Sequence, residues 1–200
     1  MNLPNKLTVF RIVLVIIMII INFFSFPGEL VGISTKSWIL LIIFIIASIT
    51  DHLDGKIARK RNQITAFGKF LDPIADKILV ITTLVILVEN QKIPAWIPII
   101  IILREFVVSG YRLVVVQGDG KVIAANIWGK IKTTTQMIAV IMCFLEVNVF
   151  GAIFNTQLDV IPFIWNLLTT LLMIVSTVAT IFSGYTYLKG SKEILFKDMK

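Results

Sequence analysis

Histidine and cysteine occur once each in this 200-residue chain, as His52 and Cys143. A single cysteine excludes an internal disulfide. With no cationic neighbour in sequence it is not an activated thiol, and its apolar run suits packing or lipid contact. Without clustered His or Cys there is no soft ligand set for zinc. Charged residues are also scarce, at 16%, whereas 57% of the chain is hydrophobic. A soluble domain is usually about 45–50% apolar. With a mean hydropathy of +0.92, the composition points to an integral membrane protein. The chain lacks a long basic tail and a basic–aromatic module, so its net charge of +7 does not call for nucleic acid. Anionic lipid headgroups and phosphate-bearing substrates account for it better. No small-x-small cleavage site follows the first apolar run, which ends in Phe24-Ser25-Phe26-Pro27. That run is expected to remain as the first span. Neither internal repeats nor low-complexity segments occur.

What the chain does have is six apolar segments. They cover roughly 8–25, 38–60, 66–88, 94–116, 129–146 and 160–187. Each is about the 20 residues that a bilayer span requires. The connections are short, so residues 1–200 are expected to form a single all-α membrane domain of six transmembrane helices. Basic residues in short loops set orientation. With the N-terminus in the cytoplasm and six crossings, only Lys36 and Lys92 of the 19 lysines and arginines fall on the outer side. Both termini are therefore expected in the cytoplasm of a bacterial cell, with the protein multi-pass in the plasma membrane. Before the first span, Leu3, Leu7 and Phe10 can give a short amphipathic juxtamembrane helix, with Pro4 suited to its start.

The anomaly lies between the second and third segments. Asp51, Asp54, Asp72 and Asp76 stand there with Lys56, Arg59, Lys60, Arg61 and Lys69. Asp51 and Asp54 are three apart, and Asp72 and Asp76 are four apart, so each pair shares a helical face. Consecutive antiparallel spans can bring all four together at their cytoplasmic halves. Four carboxylates repel unless protonated or neutralised. Hard oxygen donors suit Mg²⁺ or Mn²⁺, as one ion or a pair, with room left for phosphate oxygens. Gly55, Ala58 and Gly68 remove bulk on this side, either for tight helix packing or for a ligand lying against the backbone. Arg59 can bind a phosphate oxygen. His52 is expected to face away from the carboxylates. An ion-pair network or a divalent-cation transport pathway are the other readings of intramembrane charge. Transport is disfavoured by outer loops nearly free of basic charge and by the lack of repeat symmetry.

The pattern Asp-x2-Asp-Gly-x2-Ala-Arg-x8-Gly-x3-Asp-x3-Asp resembles the signature of the CDP-alcohol phosphotransferases. Asp51, Asp54, Gly55, Ala58, Arg59, Gly68, Asp72 and Asp76 fill all its positions. The resemblance implies a polytopic, homodimeric enzyme that transfers a phosphorylated group from a CDP-activated donor to an alcohol and releases CMP. It implies metal ligation by Asp51, Asp54 and Asp72. Asp76 is then the general base and a contact to a second ion. Gly55, Ala58, Arg59 and Gly68 would line the nucleotide site, joined by Asn5 and Thr8 from the N-terminal segment.

The signature does not select the acceptor. Leu3–Arg11, Leu103–Arg112 and Gly129–Gln136 are similar to segments of the members that join CDP-diacylglycerol to glycerol 3-phosphate. Arg104 lies about ten residues, roughly 15 Å, into its span, where a charge needs a partner. Adjacent helical residues diverge by about 100°, which makes Glu105 an awkward one. Arg112 shares a face with Arg104, and Lys130 and Lys132 enter the next helix. Arg104, Arg112, Lys130 and Lys132 are therefore the expected acceptor-phosphate set. Glycerol 3-phosphate fits it. Inositol phosphate would also fit, and serine needs so many cations less.

Overall fold

The computed structural model describes residues 2–60, 65–118 and 127–189, with the side chains at 52, 54–60, 66, 67, 69 and 112–118 outside that description. Six α-helices lie within it. They are α1 (Leu3–Phe23), α2 (Thr35–Lys60), α3 (Ala66–Glu89), α4 (Trp96–Gly118), α5 (Ile127–Leu145) and α6 (Val160–Lys189). Every apolar segment read from the sequence is one of these helices. Two small elements were not anticipated. One is a hairpin of β1 (Glu29–Leu30) and β2 (Ile33–Ser34), and the other is a 3₁₀ turn at Ala152–Phe154.

The chain divides into two compact units, Met1–Lys92 with Phe144–Val147, and Ile93–Cys143 with Asn148–Lys200. In the first, α1 packs along both α2 and α3. Its apolar core includes Val15, Met18, Leu40, Phe44, Ala47, Leu84 and Leu87. Pro4 occupies the first turn of α1, where a missing N–H costs nothing. The expected amphipathic segment is not a separate helix, because α1 is continuous from Leu3. Its pattern is also inverted. Asn5, Thr8 and Arg11 are buried, whereas Leu3 and Phe10 are exposed. Polar groups turn inward here because they find partners on α2 and α3. At the other end of α1, Asn22 Nδ2 donates to Glu89 at the end of α3 and its Oδ1 accepts from Asn90.

In the second unit α4 packs along α6. Buried on α6 are Asn166, Thr169, Thr170, Ser176, Thr177, Thr180 and Ser183, while Ile164, Leu168, Leu171, Val175, Val178 and Phe182 are exposed. Thr169, Thr177 and Thr180 return their hydroxyl protons to carbonyls four residues earlier. Small polar residues inside and large apolar residues outside are what lipid, not water, permits. Cys143 is buried, as packing requires. Among the described residues two helices, Leu3–Phe23 and Val160–Lys189, are long and apolar enough by composition to cross a membrane.

Candidate active site

In the first unit, α1 supplies a polar strip at Asn5, Thr8 and Arg11, spaced three apart on one face. Each member reaches a signature element. Arg11 Nη1 lies 2.7 Å from Asp51 Oδ1 on α2. Thr8 Oγ1 donates to Asp72 Oδ1 on α3 at 2.6 Å. Asn5 Oδ1 accepts from Thr65 Oγ1 at 3.1 Å. Thr65 is the N-cap of α3, and its hydroxyl accepts from the Gly68 N–H at 3.0 Å. A Cβ at Gly68 would fall 2.9 Å from Asn5 Oδ1 and 3.2 Å from Thr65 Oγ1. The missing side chain there thus makes room for the amide of Asn5 and the α3 cap.

Asp76 lies one turn beyond Asp72 on α3 and is exposed. Pro73 stands inside the helix between them. It removes the N–H that would bond the carbonyl four residues earlier and loosens the helix beside the carboxylates. Among the described residues no three His, Cys, Asp or Glu side chains already converge on one point. The side chains of Asp54, Ala58 and Arg59 lie outside the described residues, as do the surroundings of Gly55. Even so, the donor set fits a hard divalent cation. It is carboxylate oxygen on α2 and α3, which pack together, and Asp51 and Asp72 are each already held by a donor from α1.

In the second unit the charges run the other way. Glu105 Oε1 accepts from Arg104 Nη1 at 2.8 Å and also pairs with Lys132 Nζ on α5. Adjacency does not prevent the Arg104–Glu105 pair, contrary to the expectation from helical angles, because the long guanidinium arm folds back across the divergence. Arg104 Nη2 also donates to Ser183 on α6. Its stem passes Gly184, where a Cβ would stand 3.3 Å from Arg104 Cγ. One turn beyond Lys132, Gln136 is buried, with no hydrogen-bond partner for Nε2 among the described residues. Lys130 is exposed and does not join this set. The side chain of Arg112 lies outside the described residues. Sequence reasoning passed over Ser183 and Gly184, and it met Gln136 and Arg11 within segments similar to family members without giving either a role. The one available signal for Arg11 was the 5, 8, 11 spacing of polar residues in an apolar helix.

A mainly helical protein with an apolar exterior and carboxylates on two packed helices fits the class of membrane-associated enzymes. More narrowly, residues 1–184 match the CDP-alcohol phosphatidyltransferase family, and the chain belongs to it. It is 43% identical over 199 residues to the CDP-diacylglycerol–glycerol-3-phosphate 3-phosphatidyltransferase of Bacillus subtilis (strain 168), covering 97% of each chain. To the protein of the same name from Haemophilus influenzae it is 36% identical over 208 residues, covering 100% of this chain and 98% of the relative. The Rickettsia felis protein of that name is 35% identical over 192 residues, 96% of each chain.

Proposed function

We propose that the protein transfers the phosphatidyl group of CDP-diacylglycerol to glycerol 3-phosphate, giving phosphatidylglycerophosphate and CMP. The observation that carries this is the end-to-end match, 97% of both chains, to a relative named for that reaction. The basic set on α4 and α5 supports the choice of a phosphorylated acceptor, since serine would leave it without use.

In this reading Asp51, Asp54, Asp72 and Asp76 hold Mg²⁺ or Mn²⁺, as two ions. Bound there, the ions would neutralise the donor pyrophosphate and the charge developing on CMP. Asp76 takes the proton from the glycerol 3-phosphate hydroxyl. As that oxygen bonds to the β-phosphorus of the donor, the β-phosphorus–oxygen bond to CMP breaks, and CMP leaves with the electron pair. Thr8 keeps Asp72 oriented throughout. Gly55, Ala58, Arg59 and Gly68, with Asn5 and Thr8, serve the cytidine nucleotide. Arg104 and Lys132 orient the acceptor phosphate, helped by Arg112 and Lys130. The chain crosses the bacterial plasma membrane six times with both termini and the carboxylates cytoplasmic, because that topology leaves only Lys36 and Lys92 outside. It works as a homodimer.

The test is CMP release by purified protein given CDP-diacylglycerol and, in turn, glycerol 3-phosphate, inositol phosphate and serine. Glycerol 3-phosphate is expected to support turnover at least about a hundredfold better than the others, the discrimination a site built for polar groups can reach. A preference for inositol phosphate or serine would overturn the choice of acceptor, and divalent-cation flux in liposomes without CMP release would overturn the enzyme.

A further inference from the structure

We propose that Arg11 is a resident counter-cation of the carboxylate set, sharing Asp51 with the divalent ion and thereby limiting how tightly that ion binds. The proposal rests on the reading above that Asp51 is an ion ligand. The ion pair is lopsided. The Arg11 side chain is 0% exposed and that of Asp51 is 44% exposed, at 2.7 Å. A guanidinium so deep in the protein is costly unless paired with a carboxylate. Its depth fixes its position, because Arg11 belongs to the strip whose other members anchor α1 to Asp72 and to the α3 cap. Asp51, by contrast, keeps open surface from which a second cation can approach.

Two consequences follow from placing a fixed positive charge beside a ligand carboxylate. It holds that carboxylate in one orientation and offsets its repulsion from the other acids before any ion arrives. It also repels an incoming divalent ion and competes for the same oxygen. Orientation favours turnover, whereas repulsion weakens ion binding. The two effects of removing the charge therefore have opposite signs, and a scaffold residue would not produce that split. A neighbouring charge changes the affinity for another charge at the same group by about tenfold or more.

The experiment titrates purified protein with Mn²⁺, without substrate, and follows free Mn²⁺ by electron paramagnetic resonance. Arg11→Met keeps length and apolar bulk but removes the charge. It is expected to bind Mn²⁺ about tenfold more tightly while kcat for CMP release falls about tenfold. Arg11→Lys keeps the charge and is expected to stay within about threefold of the unaltered protein in Mn²⁺ affinity. Should Arg11→Met fail to fold, Arg11→Gln is expected to tighten binding likewise. Unchanged or weaker Mn²⁺ binding in the folded uncharged variant overturns the proposal. Asp51→Asn separates the two levels. If it leaves Mn²⁺ binding unchanged, Asp51 is not a ligand and the reading beneath the proposal fails. If it weakens binding while Arg11→Met does not tighten it, only the role of Arg11 fails.

Discussion

The two units carry mirror-image charge arrangements. Among the described side chains of the first, a buried cation, Arg11, pairs with Asp51, with Asp72 and Asp76 on α3. In the second, one carboxylate, Glu105, lies between two cations, Arg104 and Lys132. Neither arrangement is a balanced salt bridge, and a balanced buried pair would itself add little over apolar packing. The imbalance is the instructive part. Among its described side chains the first set has an excess of negative charge and suits metal cations. The second is left with an excess of positive charge and suits an anion. In each, the minority charge orients the majority groups and reduces their mutual repulsion, which leaves them ordered before a ligand arrives.

Breaking the first set should have the largest effect. Asp76→Asn removes the proposed base and is expected to lower CMP release by about 10³-fold while leaving binding of CDP-diacylglycerol within about threefold. Activity within tenfold of the unaltered protein would remove Asp76 from that role. Glu105→Gln attacks the second set through its minority charge. Arg104 and Lys132 would then face each other, largely buried, without a counter-charge, and the cost should be about 3 kcal/mol. A lowered midpoint of thermal unfolding in detergent would register it. Adding Lys132→Met should recover part of the loss, since the pair is coupled through one carboxylate. Gly68→Ala tests the scaffold of the first set. Its methyl group would displace Asn5 from the Thr65 cap, at a cost of about 1–2 kcal/mol, and the same unfolding measurement reads it.

The six helices of this molecule were legible because each is a long apolar run, and such runs are hard to mistake. The spacing of Asp51, Asp54, Asp72 and Asp76 marked them as candidates, and Asp51 and Asp72 have partners on α1. The hairpin was not. Its turn puts Val31 at φ 56° ahead of Gly32 at 73°, a conformation that asparagine or glycine would have advertised and a β-branched residue hides. Glu105 was misjudged for another reason. Helical angles locate Cβ atoms, and an arginine side chain is long enough to reach around them. The third helix in the Glu105 set was invisible because Ser183 and Gly184 lie in a C-terminal stretch whose polar residues look ordinary until their face is known. The polar strip of α1 was visible as a spacing, but its partners lie on other helices, and no local pattern names them.

The smallest expected effect sharpens the comparison most. Lys130 and Lys132 are two residues apart on α5 and were indistinguishable in the sequence as candidate phosphate ligands. Their surroundings differ. Lys132 is buried and paired with Glu105, whereas Lys130 is exposed. A charge held in the interior is screened little by salt, and one in solvent is screened strongly. Lys132→Met should therefore raise the KM for glycerol 3-phosphate by about tenfold, the worth of one charge-assisted hydrogen bond. That increase should persist at high ionic strength. Lys130→Gln should change KM by less than about twofold, and the change should vanish as salt is added, because an exposed lysine acts only through the general field. Equal effects from the two lysines would mean that the second unit attracts its anion by diffuse surface charge. The ordered set around Glu105 would then have no part in choosing the acceptor.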